Sequence, residues 1–198
     1  VLGIGGGKTI DAAKGVAQAA GSRLAVVPTA ASNDAPTSRL IVIYDQAHRI
    51  AEVRRLARNP DLVLVDTQVI AAAPRRLLAA GIGDALSKLF EASACANAGG
   101  VNFFGGSPPA AALALAQACY ATLRRDALAA LAAADRGVPD AALENIVEAA
   151  ILMSGLAFES GGLSLAHALT RGLTSHARTA TALHGEMVAY GTIVQVLA

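Results

Sequence analysis

The sequence predicts a chain of two structural classes, an α/β part followed by an all-helical part. From residue 1 to about 74, short apolar runs of strand length alternate with stretches of helical spacing, which is typical of α/β proteins whose sheet is at least partly parallel. After Pro74 the strand-length runs disappear, and long alanine- and leucine-rich helical patterns replace them. We therefore predict two domains, 1–74 and 75–198, and the 198 residues are sufficient for a core in each.

The opening stretch, Gly3 to Lys14, contains the most informative local pattern. Consecutive glycines separate a short apolar strand from a helix predicted over roughly Thr9 to Ala20. Glycines allow the backbone to approach a ligand closely, and the free N–H groups of a helix start attract an anion. With the positive charge of Lys8, these features predict a phosphate-binding site, and a plain glycine turn is the alternative. The stretch matches neither the G-x-x-x-x-G-K-[ST] nor the G-x-G-x-x-G motif.

Further strands are predicted from short apolar runs that end at breaking or polar residues. Leu24 to Val27 and Leu40 to Tyr44 are predicted strands, and Leu62 to Val65 is predicted as a buried strand ended by Asp66. The polar loop 29–38 follows the carboxyl end of a strand. Open α/β sheets place ligand groups at such ends, so we expect this loop to contribute to a binding site.

The second half is predicted to be entirely helical. Gly83 and Asp84 are expected to open a helix, with the Asp84 side chain as its N-terminal cap. Further helices are predicted over Ser107 to about Ala134, Ala141 to Phe158, Leu163 to Arg171, and from Leu183 onwards. Because the first strand is short and the last helical pattern reaches Ala198, we expect the sequence to begin and end inside a larger fold.

Composition excludes several classes of partner. The net charge is +1, from 16 basic and 15 acidic residues, and aromatics make up 4%, so the footprint of a nucleic-acid-binding protein is missing. Uninterrupted apolar runs such as Ala127 to Ala134 are far shorter than the ~20 residues of a membrane span. Cys95 and Cys119 lack a paired spacing, which favours a reducing compartment and predicts a cytoplasmic protein.

Three residues could form a metal site. Asp84, His167 and His184 lie on different predicted helices, and one carboxylate with two imidazoles is a ligand set of catalytic zinc sites. Taken singly, each is more often a capping or satisfied core residue, and their spacing cannot establish a site. His48 is expected at the surface, and His176 in a solvated loop.

Short segments in a fixed order carry a family resemblance across nearly all of the chain. They are Gly5-Gly6-Gly7-Lys8, Asp11-Ala12-Ala13-Lys14, Val27 to Pro36, Gly81 to Ala85, Gly155 to Gly162, Ala166-His167-Ala168 and Leu183-His184-Gly185-Glu186. With them the sequence resembles the glycerol dehydrogenase family of the iron-containing (group III) alcohol dehydrogenase superfamily. The resemblance implies a dehydroquinate synthase-like fold, in which a Rossmann-like dinucleotide-binding domain, truncated at its start, precedes an all-α metal-binding domain.

The resemblance also implies the site residues. Asp84, His167 and His184 would be catalytic metal ligands that contact the substrate, and Asp34 would lie beside the substrate hydroxyls. Lys88 stands where iron-binding relatives have a histidine, which points to the zinc branch. NAD would lie in the cleft between the domains, against Gly6, Gly7, Lys8, Thr9, Ile10, Asp11, Thr29, Ala30, Ala31, Ser32, Ser38, Leu40 and Tyr44.

The activity that the resemblance implies is NAD-dependent oxidation of glycerol, or a related vicinal diol, to dihydroxyacetone with zinc, in a homo-oligomer. One alternative is a dehydroquinate synthase-like lyase, which also uses NAD and a metal but must neutralise a phosphate and a carboxylate. The sequence provides no cluster of Lys and Arg near the proposed ligands for that task. A second alternative is a non-catalytic fragment of the fold.

Overall fold

The first part of the chain consists of strands and helices that follow one another along the sequence. The structure is a computed structural model that describes residues 1–46, 50–179 and 181–198. His48 lies outside the described residues. The elements of the first part are β1 (Leu2–Gly5), α1 (Gly7–Ala19), β2 (Ala25–Pro28), β3 (Leu40–Tyr44), β4 (Ile50–Arg55), β5 (Leu62–Val63) and α2 (Thr67–Ala71). Those of the second part are α3 (Arg75–Asn97), α4 (Ala110–Arg136), α5 (Ala141–Glu148), a π-helical segment (Ala149–Met153), α6 (Ser154–Gly161), α7 (Leu165–Ser175) and α8 (His184–Leu197).

The central sheet is parallel, as the alternating pattern predicts. Its strand order is β1-β2-β5, and the register pairs Gly5 at the end of β1 with Pro28 at the end of β2. The carboxyl ends of both strands therefore lie at one edge. From that edge the chain enters α1 on one side and the polar loop 29–38 on the other, so the two predicted ligand-binding stretches are neighbours.

Two strand predictions need correction. The sequence pattern misses β4, which pairs antiparallel with β3, because half of the residues in Ile50–Arg55 are charged and the segment lacks an apolar alternation. The strand at Leu62 is shorter than predicted and is not buried, since Leu62 and Leu64 are each more than half exposed. Val63, between these two leucines, packs against the core, so Leu62 and Leu64 lie on the opposite face of the sheet. Leu2 and Ile4 of β1 are likewise more than half exposed.

The prediction that Asp84 caps a helix is wrong. The helix α3 begins at Arg75, and Asp84 lies in its middle. Gly81 and Gly83 do not break the helix because their missing side chains allow close contacts between backbones. A Cβ atom on Gly81 would lie 1.9 Å from the carbonyl oxygen of Ala31, and one on Gly83 would lie 2.7 Å from that of Gly185.

The main apolar core lies among α3, α4, α5 and the π-helical segment. It includes Leu78, Leu123 and Ile146, and it extends to Ala31 in the polar loop and to Ile70 in α2. The first and second parts therefore share one core. The domain boundary at residues 74 and 75 stays a prediction.

One helical stretch among the described residues, Ala141–Gly161, is long and apolar enough to cross a membrane, with a mean hydropathy of 1.5. The search for uninterrupted apolar runs overlooks it because Glu144 and Glu148 lie within it. More than half of its window is buried inside the protein, and Leu143 and Ile146 belong to the core. The stretch therefore has the features of a core helix and is weak evidence for a membrane span.

We expect Gly81→Ala to destabilise the protein, because the new methyl group would meet the Ala31 carbonyl, a backbone atom that cannot rotate away. The expected loss is about 1–3 kcal/mol, the usual range for overpacking. Gly15→Ala is the matched control, since Gly15 lies inside α1 with open space at its Cβ position, and it should gain up to ~1 kcal/mol in helix propensity. Urea unfolding measures both, and equal stability of the two variants would contradict the close approach of α3 to the loop.

Candidate functional site

Side chains from three helices converge at one point. Asp84 comes from the middle of α3, His167 from the first turn of α7, and His184 from the first position of α8. Their ligand atoms all lie within 4.8 Å of one another. Asp84 Oδ1 is 3.3 Å from His167 Nε2 and 3.9 Å from His184 Nε2. The structure thus brings together the three residues proposed as metal ligands.

Glycines in α8 allow the three helices to approach closely enough for this convergence. A Cβ atom on Gly185 would lie 1.8 Å from the carbonyl oxygen of Ala80 in α3. A Cβ atom on Gly191 would lie 2.5 Å from the carbonyl oxygen of Ala166 in α7. Because α8 touches both neighbours through its backbone, side chains as short as aspartate and histidine can reach a common centre.

The Asp84 carboxylate is buried and has one oxygen available. Its Oδ1 accepts a hydrogen bond from Lys88 Nζ at 2.8 Å, whereas Oδ2 has no hydrogen-bond partner among the described residues. Burial acts to raise the pKa of Asp84, but Lys88 and the two imidazoles outweigh it and hold that pKa far below its ordinary value. A buried, ionised and half-unpaired carboxylate beside two imidazoles fits the chemistry of a bound divalent cation.

The two imidazoles differ in their hydrogen bonding. His167 donates from Nδ1 to Glu91 Oε2 at 2.5 Å, so its Nε2 is directed at Asp84. Burial and Lys88 act to lower the pKa of His167, but its hydrogen bonds to Asp84 and Glu91 outweigh them and raise it. The pKa of His184 is lowered by burial, although Asp84 opposes the shift. A neutral imidazole is the form that binds metals, and His184 is therefore suited to that role.

Lys88 lies inside the site and not at its edge. Its ammonium group is 2.8 Å from Asp84 Oδ1, 3.1 Å from Asp34 Oδ2 and 3.3 Å from His167 Nε2. Burial acts to lower the pKa of Lys88, but Asp34, Asp84 and Glu91 outweigh it and raise that pKa above its ordinary value. The side chain is therefore a charged ammonium at neutral pH, which has no lone pair to offer a metal.

Asp34 reaches the same site from the polar loop. Its Oδ2 lies next to Lys88 and also accepts a hydrogen bond from Ser154 Oγ in α6 at 2.9 Å. The Asx-type bond of the loop is made by Asn33, whose Oδ1 accepts from the backbone of Ala35. The carboxylate of Asp34 is thus held by the helical part of the protein and is not consumed by a local turn.

The glycine loop leaves the first turn of α1 open. Gly6 is the N-terminal cap and no side chain caps the turn, while Gly5 has a φ of 151° that other residues rarely adopt. A Cβ atom on Gly6 would have no neighbour within 4 Å. The exposed Lys8 places its ammonium 5.2 Å from the ring centre of Tyr44. These features suit the approach of an anionic group to the free N–H groups of α1.

Some of the residues implied as cofactor contacts have structural roles for their side chains. Ile10 is fully buried in the core between α1 and the strands. Asp11 pairs with the buried Lys14 at 3.0 Å, and the same ammonium contacts Ser38 Oγ at 3.3 Å and donates to the Leu40 carbonyl at 2.6 Å. These contacts hold α1 against β3. The roles of Ile10, Asp11, Ser38 and Leu40 as cofactor contacts stay predictions. The same holds for Gly6, Gly7, Lys8, Thr9, Thr29, Ala30, Ala31, Ser32 and Tyr44.

Sequence reasoning missed two residues of the site, Glu91 and Ser154. Glu91 could have been found, because Asp84, Lys88 and Glu91 recur at spacings of four and three residues and so place three charges on one face of an otherwise apolar helix. No sequence signal marks Ser154. His176 is exposed at the end of α7, as expected of a loop histidine.

Comparisons with known proteins agree with this fold. The sequence model of the family described as iron-containing alcohol dehydrogenase matches residues 1–74. A glycerol dehydrogenase of Escherichia coli is 49% identical over 100% of this chain, and a glycolaldehyde reductase of Halobacterium salinarum is 47% identical over 100% of it. The crystal structure of glycerol dehydrogenase from Schizosaccharomyces pombe is 45% identical and superimposes with a TM-score of 0.95 over 99% of the chain.

The chain is a homologue of the glycerol dehydrogenases. The fold class predicted from the sequence is thereby confirmed. The homologous region includes the candidate site as a whole, since the two curated relatives match every part of the chain. The chain spans about half the length of the proteins it matches, 54% of each of the two curated relatives and 50% of the crystallised one.

We expect Lys88→Met to destabilise the metal-free protein, because Asp34 and Asp84 would face each other without the ammonium group between them. Removal of one member of a buried ionic group typically costs about 3–5 kcal/mol. Urea unfolding in the presence of a chelator measures the effect. Lys8→Met is the control, since Lys8 is exposed and its loss should change stability by less than ~0.5 kcal/mol. Similar unfolding midpoints for both variants would refute the charge-balancing role of Lys88.

Proposed function

We propose that this protein oxidises glycerol, or a related vicinal diol, to dihydroxyacetone or the corresponding carbonyl compound, with NAD as hydride acceptor and zinc as Lewis acid. One observation carries the proposal: adjacent residues of the polar loop 29–38 contact both the glycine loop and the cluster of candidate metal ligands. Asn33 packs against Gly7 in the glycine loop, and Asp34 contacts Lys88 beside the three candidate metal ligands. An anion-binding helix start and a cation-binding cluster therefore face one short segment, as hydride transfer between a dinucleotide and a metal-held alcohol requires.

Asp84, His167 and His184 would hold the metal. The unpaired Oδ2 of Asp84 and the directed Nε2 of His167 support this assignment. Three protein ligands with a further open position form the usual set of catalytic zinc. Lys88 stands one helical turn from Asp84 and offers no lone pair, so it cannot serve as the fourth protein ligand and favours zinc over iron. When bound, zinc would polarise the substrate hydroxyl, and NAD would accept hydride from its carbon.

The glycine loop would bind the diphosphate of NAD. The N–H groups of Gly7, Lys8 and Thr9 belong to the uncapped first turn of α1, where the helix dipole also favours negative charge. Lys8 would add a mobile positive charge beside them. Gly6 must remain small if a phosphate is to approach the backbone, and the open space at its Cβ position is consistent with that requirement.

Asp34 would select a substrate with two neighbouring hydroxyls. Its carboxylate accepts hydrogen bonds, and Ser154 and Lys88 hold it next to the metal ligands. One hydroxyl would bind at the metal while the second donates to Asp34. Two relatives, a glycerol dehydrogenase and a glycolaldehyde reductase, are named for small compounds with oxygens on neighbouring carbons, which supports this substrate class.

A dehydroquinate synthase-like reaction has less support. Such a substrate brings a phosphate and a carboxylate that need free cations. Lys88 is the one Lys or Arg that the described residues place in contact with the ligand set, and it already pairs with two carboxylates.

We further propose a cytoplasmic homo-oligomer. Buried, unpaired Cys95 and Cys119 are consistent with a reducing compartment.

We expect His167→Ala and His184→Ala to lose bound zinc and to retain the helical fold, because each removes one of three ligands. The measurements are zinc content by atomic absorption and helicity by circular dichroism. His176→Ala, at an exposed histidine, should bind zinc like the parent protein. Full zinc content in both ligand variants would refute the assignment. A parent protein that binds zinc but forms no NADH with glycerol or other vicinal diols would support the non-catalytic alternative.

Asp34→Asn should impair turnover of glycerol more than binding of NAD, because Asp34 contacts the metal side of the cleft. Loss of a charged hydrogen-bond acceptor is worth about 1.5–3 kcal/mol, so kcat/KM for glycerol should fall roughly 10- to 100-fold. The dissociation constant of NAD, followed by fluorescence titration, should change little. A parallel fall in NAD affinity would indicate that Asp34 only supports the structure of the loop.

A further inference from the structure

Glu91 is a buried carboxylate for which the proposed reaction has no direct use. It lies on α3 two helical turns after Asp84, and its side chain is 0% exposed. Burial of a carboxylate is costly unless hydrogen bonds and charges compensate for it. The charge of Lys88 compensates for part of this cost, and the hydrogen bonds of Glu91 lead to the start of α7, where the candidate ligand His167 is located.

Both oxygens of Glu91 accept hydrogen bonds. Oε1 accepts from the backbone N–H groups of Ser164 and His167, each at 2.9 Å, and so caps the N-terminus of α7. Oε2 accepts from Nδ1 of the His167 ring at 2.5 Å. One side chain therefore fixes the backbone of His167 and the orientation of its ring at the same time. The negative charge also suits the positive end of the helix dipole of α7.

The bond to the ring determines the tautomer of the imidazole. An ionised carboxylate can only accept hydrogen bonds, so Nδ1 of His167 must carry a hydrogen. In the neutral ring the lone pair is then on Nε2, which lies 3.3 Å from Asp84 Oδ1. Without this bond the ring could carry its hydrogen on Nε2, and the nitrogen that faces Asp84 would be unable to bind a metal.

We propose that Glu91 is a positioning residue, which holds His167 in the Nδ1–H tautomer and thereby prepares its Nε2 to bind a divalent cation. The inference rests on the proposed metal site and adds to it a residue outside the ligand set. Glu91 also couples metal binding to the start of α7, because its carboxylate contacts both the His167 ring and the backbone of the first turn of that helix. Partners of this kind typically contribute 10- to 100-fold to metal affinity.

The decisive variant is Glu91→Gln, which preserves the size of the side chain. Its amide oxygen can still accept from Ser164 and His167, but the amide nitrogen then faces Nδ1 as a donor. Nδ1 must accept, and the ring hydrogen moves to Nε2. We expect the dissociation constant for zinc, measured by competition with a chelating dye, to rise about 10- to 100-fold. Unchanged zinc affinity would overturn the proposal.

Asp140→Asn is the matched control. Asp140 also caps a helix, since its Oδ1 accepts from the backbone N–H of Leu143 in α5, and the substitution is likewise a carboxylate-to-amide change. It leaves the three candidate ligands and Glu91 unchanged. Zinc affinity should remain that of the parent protein, and a loss equal to that of Glu91→Gln would indicate a general effect of neutralising a capping carboxylate and would overturn the proposal.

A second readout does not depend on zinc. In metal-free protein labelled with 15N-histidine, at alkaline pH where the imidazole is neutral, the ring nitrogen shifts identify the tautomer of His167. We expect Nδ1–H in the parent and Nε2–H in Glu91→Gln, and the same tautomer in both would overturn the proposal. This measurement decides the role of Glu91 even if the parent binds no zinc, a result that would contradict the proposed function alone.

If Glu91→Gln does not fold, Glu91→Asp provides the test. It retains the charge and shortens the side chain by one methylene group, so the carboxylate can no longer reach both the α7 backbone and the His167 ring. Zinc affinity should again fall about 10-fold or more. Parental affinity in a folded Glu91→Asp variant would overturn the proposal.

Discussion

The structure of the site depends on a row of buried charges along one face of α3. Asp84, Lys88 and Glu91 are each about 1% exposed or less, and such groups must be paired if the protein is to fold. Within the row, Lys88 pairs with Asp84. From outside the helix, Asp34 also pairs with Lys88, and His167 pairs with Glu91. A polar loop of the first part and a helix of the second are thus fixed to the same helix by charge.

Close backbone packing and buried charge support each other here. Gly81 allows α3 to meet the loop that carries Asp34, and Gly185 allows α8 to bring His184 to Asp84. The π-helical segment contributes as well, because the Ile151 carbonyl accepts a hydrogen bond from Thr37 in the same loop. Asp84 and Lys88 are each 1% exposed at these short helix distances, so the contact between them is stronger than it would be at the surface.

The sequence predicts elements where apolar periodicity is strong and fails where packing decides. It predicts the parallel strands β1 and β2 and the long helix α4, but it misses β4, half of whose residues are charged and which is held by pairing with β3. It places Asp84 at a helix start because glycines usually break helices, whereas Gly81 and Gly83 are required by neighbours distant in sequence. Residue types alone could suggest the ligand set, but only a family resemblance gave it support, since three residues on separate helices have no diagnostic spacing. The partnership of Glu91 and His167 spans 76 positions and leaves no local pattern.

The arrangement also explains how a site with one unpaired carboxylate oxygen can exist in a stable fold. Asp84 Oδ2 has no partner among the residues that the structure describes, but Oδ1 is fixed by Lys88, whose ammonium group, with the two imidazoles, keeps the pKa of Asp84 low. If position 88 carried a neutral histidine, Asp84 would lose this cation, and its charge balance would depend more on a bound metal ion or proton. The lysine instead supplies an internal cation that keeps Asp34 and Asp84 together in the absence of metal. The cluster can therefore be assembled by folding, with the ligand atoms already within bonding range of a common centre.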